Sequence, residues 1–190
     1  MMARTASNPE GPRGRLVILS GPSGVGKSAV AERLVASGTV RRAVTATTRR
    51  PRAGEVEGVD YFFLSREEFE KRLAAGWFLE HAQVYGNLYG TPRSSVDAVL
   101  ASGAPCILVI DVQGAATLRG AEVEAVYVLL TAPSAAELEK RLRGRGLDSP
   151  DVIAKRLSVA ETELAAAARF DHVVVNDDLD DTVRKVGSLT

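Results

Sequence analysis

Gly21 to Ser28 read GPSGVGKS and satisfy the pattern GxxxxGK followed by Ser or Thr at every fixed position. Each residue type has a job in holding a polyphosphate. Glycines let backbone amides turn toward the anion, Lys27 adds a mobile positive charge, and the Ser28 hydroxyl is a ligand for a magnesium ion. The whole stretch, Gly21, Pro22, Ser23, Gly24, Val25, Gly26, Lys27 and Ser28, is therefore the candidate site for a nucleoside triphosphate. A plain glycine-rich turn with a surface lysine is the competing interpretation.

A second group lies in TTRRPRAGE, where Arg49 and Arg52 stand beside the hydroxyls Thr45, Thr47 and Thr48 just before a turn. Two guanidiniums so close suggest a second anion site, though a solvated basic loop has the same composition. Tyr61 and Tyr89 divide in the same way between half-buried packing and phosphate donors.

The phosphate loop requires a strand before it and a helix after it. The sequence supplies both: a buried strand over Arg15 to Ser20 and a helix from Lys27 to about Ala36, stopped by Gly38. A β-prone stretch follows at Val44 to Thr48, then a long connection, a short strand at Tyr61 to Leu64, and a helix opened by Ser65 with Glu68 and ending at Gly76. Trp77 to Val84 and Leu88 to Tyr89 read as strands around a turn at residues 85–87.

Beyond this small mixed insertion, a helix is predicted at Arg93 to Ala101 and strands at Cys106 to Ile110 and Ala125 to Leu130. Ser134 with Glu137 starts another helix, broken at Gly144, Arg145 and Gly146. Ser149 before Pro150 starts the next, which runs to about Arg169 with Ile153, Leu157, Ala160 and Leu164 on one face. A last strand, His172 to Val175, precedes a terminal helix. The predicted fold class is α/β, a three-layer core with a parallel sheet and two excursions, a mixed insertion in the middle and a helical one before Ser149.

At 190 residues the chain suits one domain. Twenty-four basic and 24 acidic residues leave no net charge, so bulk attraction to nucleic acid or anionic membrane is not expected. Cys106, the single cysteine, precludes an internal disulfide and reads as a buried strand thiol. Residues 1–14 lack an apolar core and read as a tail, and no apolar run approaches the ~20 residues that span a bilayer. These features predict a soluble protein of the reducing cytoplasm.

The order of motifs resembles the guanylate kinases, which transfer the terminal phosphoryl group of ATP to GMP. The matching strings are GPSGVGKS at Gly21, TTRRPRAGEVEGVDYFF at Thr47, FLEHAQVYGNLYGTP at Phe78, ILVIDVQG at Ile107, KRLRGRG at Lys140, AKRL at Ala154 and VVNDD at Val174. The resemblance covers all but the tail. It implies a core over about 15–43, 94–133 and 158–190, a GMP-binding insertion over about 44–93 and a lid over about 134–157.

Carried over by position, the resemblance makes Arg49, Arg52, Tyr61 and Tyr89 holders of the GMP phosphate. Glu80, Thr91 and Thr45 would read the base, with Asp111 nearby. A guanine edge offers N1–H and N2–H2 as adjacent donors that one carboxylate accepts together, and adenine lacks that pair. Arg141, Arg145 and Arg156 match the lid arginines that reach the transferred group, and Asn176 would lie near the adenine of ATP. Lys27, with Arg49 and the three lid arginines, would be catalytic, and Ser28 would ligate Mg2+.

Two positions depart from the commoner pattern. Thr45 stands where serine is usual, and Val109 replaces the first Asp of LDID, which leaves Asp111 open between metal shell and base contact. The implied partners are ATP and GMP, with no nucleic acid and no membrane, in a monomer or small homo-oligomer. Two other readings stay open: an inactive guanylate-kinase-like binding module, and a kinase for another phosphorylated acceptor such as a ribose bisphosphate. The intact loop weighs against the first, and Glu80 with Tyr89 and Thr91 against the second.

Overall fold

A strand that is apolar at nearly every position belongs in a sheet covered on both faces. In the computed structural model, which describes residues 12–84, 86–144 and 149–190, the first strand is β1 (Leu16–Ser20), and all five of its residues are buried. There follow α1 (Lys27–Ala36), β2 (Arg41–Arg42), β3 (Thr45–Thr47), β4 (Tyr61–Phe63), α2 (Arg66–Ala74), β5 (Phe78–Val84), β6 (Asn87–Pro92) and α3 (Arg93–Ala101). The chain continues with β7 (Cys106–Val109), α4 (Val112–Gly120), β8 (Val126–Thr131), α5 (Ala135–Gly144), α6 (Pro150–Leu164), β9 (His172–Val175) and α7 (Leu179–Gly187).

Strands β2, β7, β1, β8 and β9 form, in that order, a sheet whose neighbours are all parallel. Parallel neighbours need long crossovers, and the helices that supply them cover both faces. Alternate residues of β1 divide between two layers. Val17 and Leu19 pack with Val30, Leu34, Val128 and Leu142, while Ile18 packs with Val96, Leu100, Leu108 and Leu118. This is the expected three-layer arrangement. Cys106 is buried in it, and burial pushes its thiol up to about 11.

The middle third forms a second sheet in the order β4, β3, β6, β5. The β5–β6 hairpin is antiparallel and sets Glu80 opposite Thr91. Strand β3 lies parallel to β4, with Thr45 opposite Tyr61, and antiparallel to β6, with Thr47 opposite Tyr89. Its small core is built on Phe69 and Phe78, stacked with ring centroids 4.3 Å apart, together with Ala46 and Leu88.

Each of the three serines read as helix starts accepts a backbone hydrogen bond. Ser65 Oγ accepts from Glu68 N at 3.1 Å, Ser134 Oγ from Glu137 N at 3.1 Å, and Ser149 Oγ from Val152 N at 3.4 Å. The structure departs from the expectations elsewhere. Helix α4 and strand β2 have no counterpart in them, and β6 is longer because it pairs on both sides. Helix α6 stops at Leu164, short of Arg169, and a 3-10 turn at Ala167–Arg169 leads to Phe170, which is extended and packs against the Ile18 layer. That packing overrides the helix propensity of the alanine run. Leu164 is consequently exposed, whereas Ile153 and Ala160 are buried as expected. Among the described residues no helix is long and apolar enough to cross a membrane.

Candidate active site

The phosphate loop links the end of β1 to the first residue of α1, so the positive end of that helix adjoins the loop. Two of its glycines have no substitute. Gly21 (φ 140°) and Gly26 (φ 97°) hold backbone conformations that side chains disfavour. A Cβ would lie 2.2 Å from Leu130 O in the first case and 2.3 Å from Asn176 Nδ2 in the second. Between them Val25 is buried in the core and anchors the loop.

Lys27 Nζ donates to Gly21 O at 2.5 Å and to Pro22 O at 2.9 Å, so the ammonium lies over its own loop. Asn176, read as an adenine neighbour, is placed beneath the loop as a brace. Its Nδ2 donates to Val25 O at 2.7 Å, and its backbone oxygen accepts from Arg141 Nη1 at 2.9 Å. Arg156 Nη1 donates to Ser23 Oγ at 2.6 Å, which brings this arginine onto the loop. Arg145 lies outside the described residues.

A cavity of 910 Å³ opens at the C-terminal ends of the parallel strands, where open α/β sheets place their ligands. It is lined by Lys27, Ser28, Thr45, Tyr61, Glu80, Tyr89, Thr91 and Asp111, thereby uniting both sheets. Val109 lines it too, with no polar atom where the commoner pattern has a carboxylate. Arg49 and Arg52 belong to the loop between β3 and β4. The Arg49 guanidinium lies 5.4 Å from the Tyr61 ring centroid, and the Tyr61 and Tyr89 rings meet edge-on at 6.3 Å.

Glu80 is half-buried, and its Oε1 accepts from Thr91 Oγ1 at 2.5 Å. Burial pushes this carboxyl above the usual carboxylate range; the Thr91 hydrogen bond and His81 oppose the rise, and the nearby charge of Asp111 adds to it. Asp111 itself caps α4, its Oδ1 accepting from Gly114 N at 2.7 Å. One of its oxygens is thus committed to the helix, a use that neither role considered for it included.

A second cavity, of 390 Å³, lies between the loop and α6. Gly21, Ser23, Lys27 and Asp111 form one wall, and Val152, Lys155, Arg156, Val159 and Glu163 the other. Lys27 and Asp111 line both cavities, so the two meet at the lysine. Burial also raises the Glu163 carboxyl, with the charge of Lys27 opposing. Arg141 is held by Glu137, Nε to Oε1 at 3.0 Å. Another groove, of 710 Å³, lies at the opposite ends of β1 and β8 and contains none of the residues singled out from the sequence.

Three acidic or basic residues escaped the sequence reading. Lys155 and Glu163 sit within a helix whose apolar period drew attention to its other face. Glu55 grips Arg49 with both oxygens, at 2.7 and 3.0 Å. Its sequence signal is its place in the matching string TTRRPRAGEVEGVDYFF, six residues after Arg49.

Comparisons with known proteins point to one family. The family model for guanylate kinase matches residues 13–190. A guanylate kinase of Synechococcus sp. (strain CC9902) is 49% identical over 174 residues, covering 91% of this chain and 93% of that protein. One from Streptomyces coelicolor is 48% identical over 187 residues, covering 98% and 95%. The crystal structure of guanylate kinase from Anaplasma phagocytophilum superposes with a TM-score of 0.69 at 34% identity, covering 93% of this chain and 84% of that one. With the phosphate loop, the second sheet and the helices beside the loop all inside the matched region, the chain belongs to the guanylate kinase family.

Proposed function

We propose that this protein transfers the γ-phosphoryl group of ATP to GMP, giving ADP and GDP. The observation that carries the reading is the meeting of two cavities at Lys27, one beside the phosphate loop and one containing the half-buried Glu80. The core over about 15–43, 94–133 and 158–190 serves the donor, the insertion over about 44–93 selects the acceptor, and the segment over about 134–157 acts as the lid.

The acceptor is a phosphate oxygen, largely ionised near neutral pH, so no general base is required. Catalysis then consists of positioning and charge neutralisation. The loop amides and Lys27 hold the donor phosphates. Arg49, Arg52, Tyr61 and Tyr89 hold the acceptor phosphate, while Glu80, Thr91 and Thr45 accept the guanine edge. Arg141, Arg145 and Arg156 serve the charge that spreads over the transferred group. Asn176, by bracing Val25, fixes the loop on the donor side.

Among the described residues no group of three His, Cys, Asp or Glu side chains stands ready to hold a metal. Magnesium keeps several waters and takes few protein ligands alongside substrate phosphates, and the cavity that Ser28 shares with Asp111 offers it one hydroxyl and one carboxylate. The Ser28 hydroxyl would hold it, with Asp111 lining the same cavity. When bound, the ion neutralises phosphate charge.

Separation of products after incubation with ATP, magnesium and GMP tests the reading. ADP and GDP should appear in equal amounts, and neither when GMP is left out. ADP release at the same rate without GMP would refute it.

A further inference from the structure

The two arginines assigned to the acceptor phosphate share one loop, and a single carboxylate holds that loop. Glu55 Oε2 accepts from Arg49 Nη1 at 3.0 Å and from the Arg52 backbone amide at 2.7 Å, and its Oε1 accepts from Arg49 Nη2 at 2.7 Å. Glu55 N donates back to Arg52 O at 3.1 Å, closing a turn between them. We infer that Glu55 is a positioning residue for the acceptor phosphate, fixing Arg49 so that the edge formed by Nε and Nη2 faces the ligand. This inference rests on the phosphate-binding role proposed above for Arg49 and Arg52.

The donor count carries it. A guanidinium has five N–H groups in a rigid plane. Both hydrogens of Arg49 Nη1 are used, one by Arg50 O at 2.8 Å and one by Glu55, and Glu55 takes one hydrogen of Nη2. The Nε hydrogen and the second Nη2 hydrogen are used by neither Glu55 nor Arg50. They are parallel and form the other fork, the geometry that grips a phosphate with two hydrogen bonds. The Tyr89 hydroxyl lies within reach of the same guanidinium. The Tyr61 and Phe63 rings, 5.4 and 6.0 Å from the Arg49 carbon, limit its rotation.

An acid beside a phosphate site repels the ligand, so attraction alone gives no reason for Glu55 to be there. Order does. Arg49 is long and flexible, and a ligand that must order it on each encounter loses affinity; a preformed ion pair removes that cost. The Arg49 hydrogen bonds and then the Arg52 amide hold the Glu55 carboxyl below the usual carboxylate range, so the clamp stays charged across the working pH range.

Steady-state kinetics of Glu55→Gln and Glu55→Asp, with GMP and ATP varied separately, test the inference. Both variants should raise KM for GMP by about tenfold, with KM for ATP unchanged and kcat within about threefold. In an Arg49→Lys background, Glu55→Gln should add less than about twofold, because the two residues act as a unit. KM for GMP within twofold of the parent in both variants would overturn the inference. So would a parallel rise in both KM values with a lowered thermal midpoint, the mark of a merely structural residue. A parent protein that does not phosphorylate GMP would overturn the underlying reading of the site, whereas an active parent with unaffected variants would overturn the role of Glu55 alone.

Discussion

At the scale of single residues, Glu80 shows stability and function pulling apart. Burial raises its carboxyl, so the folded protein holds that proton more tightly than the unfolded chain does. The sign follows: in the window between the unfolded value and the raised folded one, stability falls as pH rises. Guanine, with two adjacent donors, needs the ionised form. Glu80→Gln should therefore leave the thermal midpoint at neutral pH unchanged or higher while raising KM for GMP about a hundredfold. As pH is lowered, kcat/KM for GMP in the parent should fall through a transition above the usual carboxylate range, with KM for ATP flat. Loss of that transition in the Gln variant separates it from ionisation of the GMP phosphate itself.

At the scale of elements, the phosphate loop is held by its neighbours as much as by its own sequence. Gly26 opens α1 in a left-handed conformation with the Asn176 amide against it, and that amide is tied to Val25 O. Gly26→Ala should destabilise the protein by about 1–3 kcal/mol in urea denaturation, through backbone strain and the displaced amide, and should weaken ATP binding. A variant as stable as the parent would show that the loop tolerates a side chain there. The glycines were legible in the sequence because their pattern is local. The brace was not, since Asn176 and Val25 are joined only when β9 lies beside β8. Helix α4 was missed for a related reason. Gly114 lies in its first turn and Gly120 at its end, which dilutes its helical signal, and its cap, Asp111, was read only as a site residue. Helix α6 shows the reverse: the local alanine signal was strong, and the packing of Phe170 ended the helix earlier.

At the scale of the whole molecule, the order of short motifs along the chain was enough to expect two nucleotide sites, because the phosphate loop and most of the proposed acceptor residues, Thr45 to Thr91, each fall within one stretch. The sequence did not show how the sites face each other. That depends on β5 and β6 carrying Glu80 and Thr91 to the same cavity as Lys27 and Ser28, although they stand in a different sheet. Glu163 stayed hidden for the same reason, since it meets Lys27 only by approach in space, whereas Glu55 is close to Arg49 in sequence but lies in a loop with no period to single it out. The central claim is that one sheet holds the donor while the other chooses guanine. The most direct test is kcat/KM for GMP, AMP, CMP and UMP, each with saturating ATP and magnesium. GMP should exceed AMP by about a thousandfold or more, because adenine leaves Glu80 without its paired donors. Turnover of AMP with a kcat/KM equal to that of GMP would contradict the account.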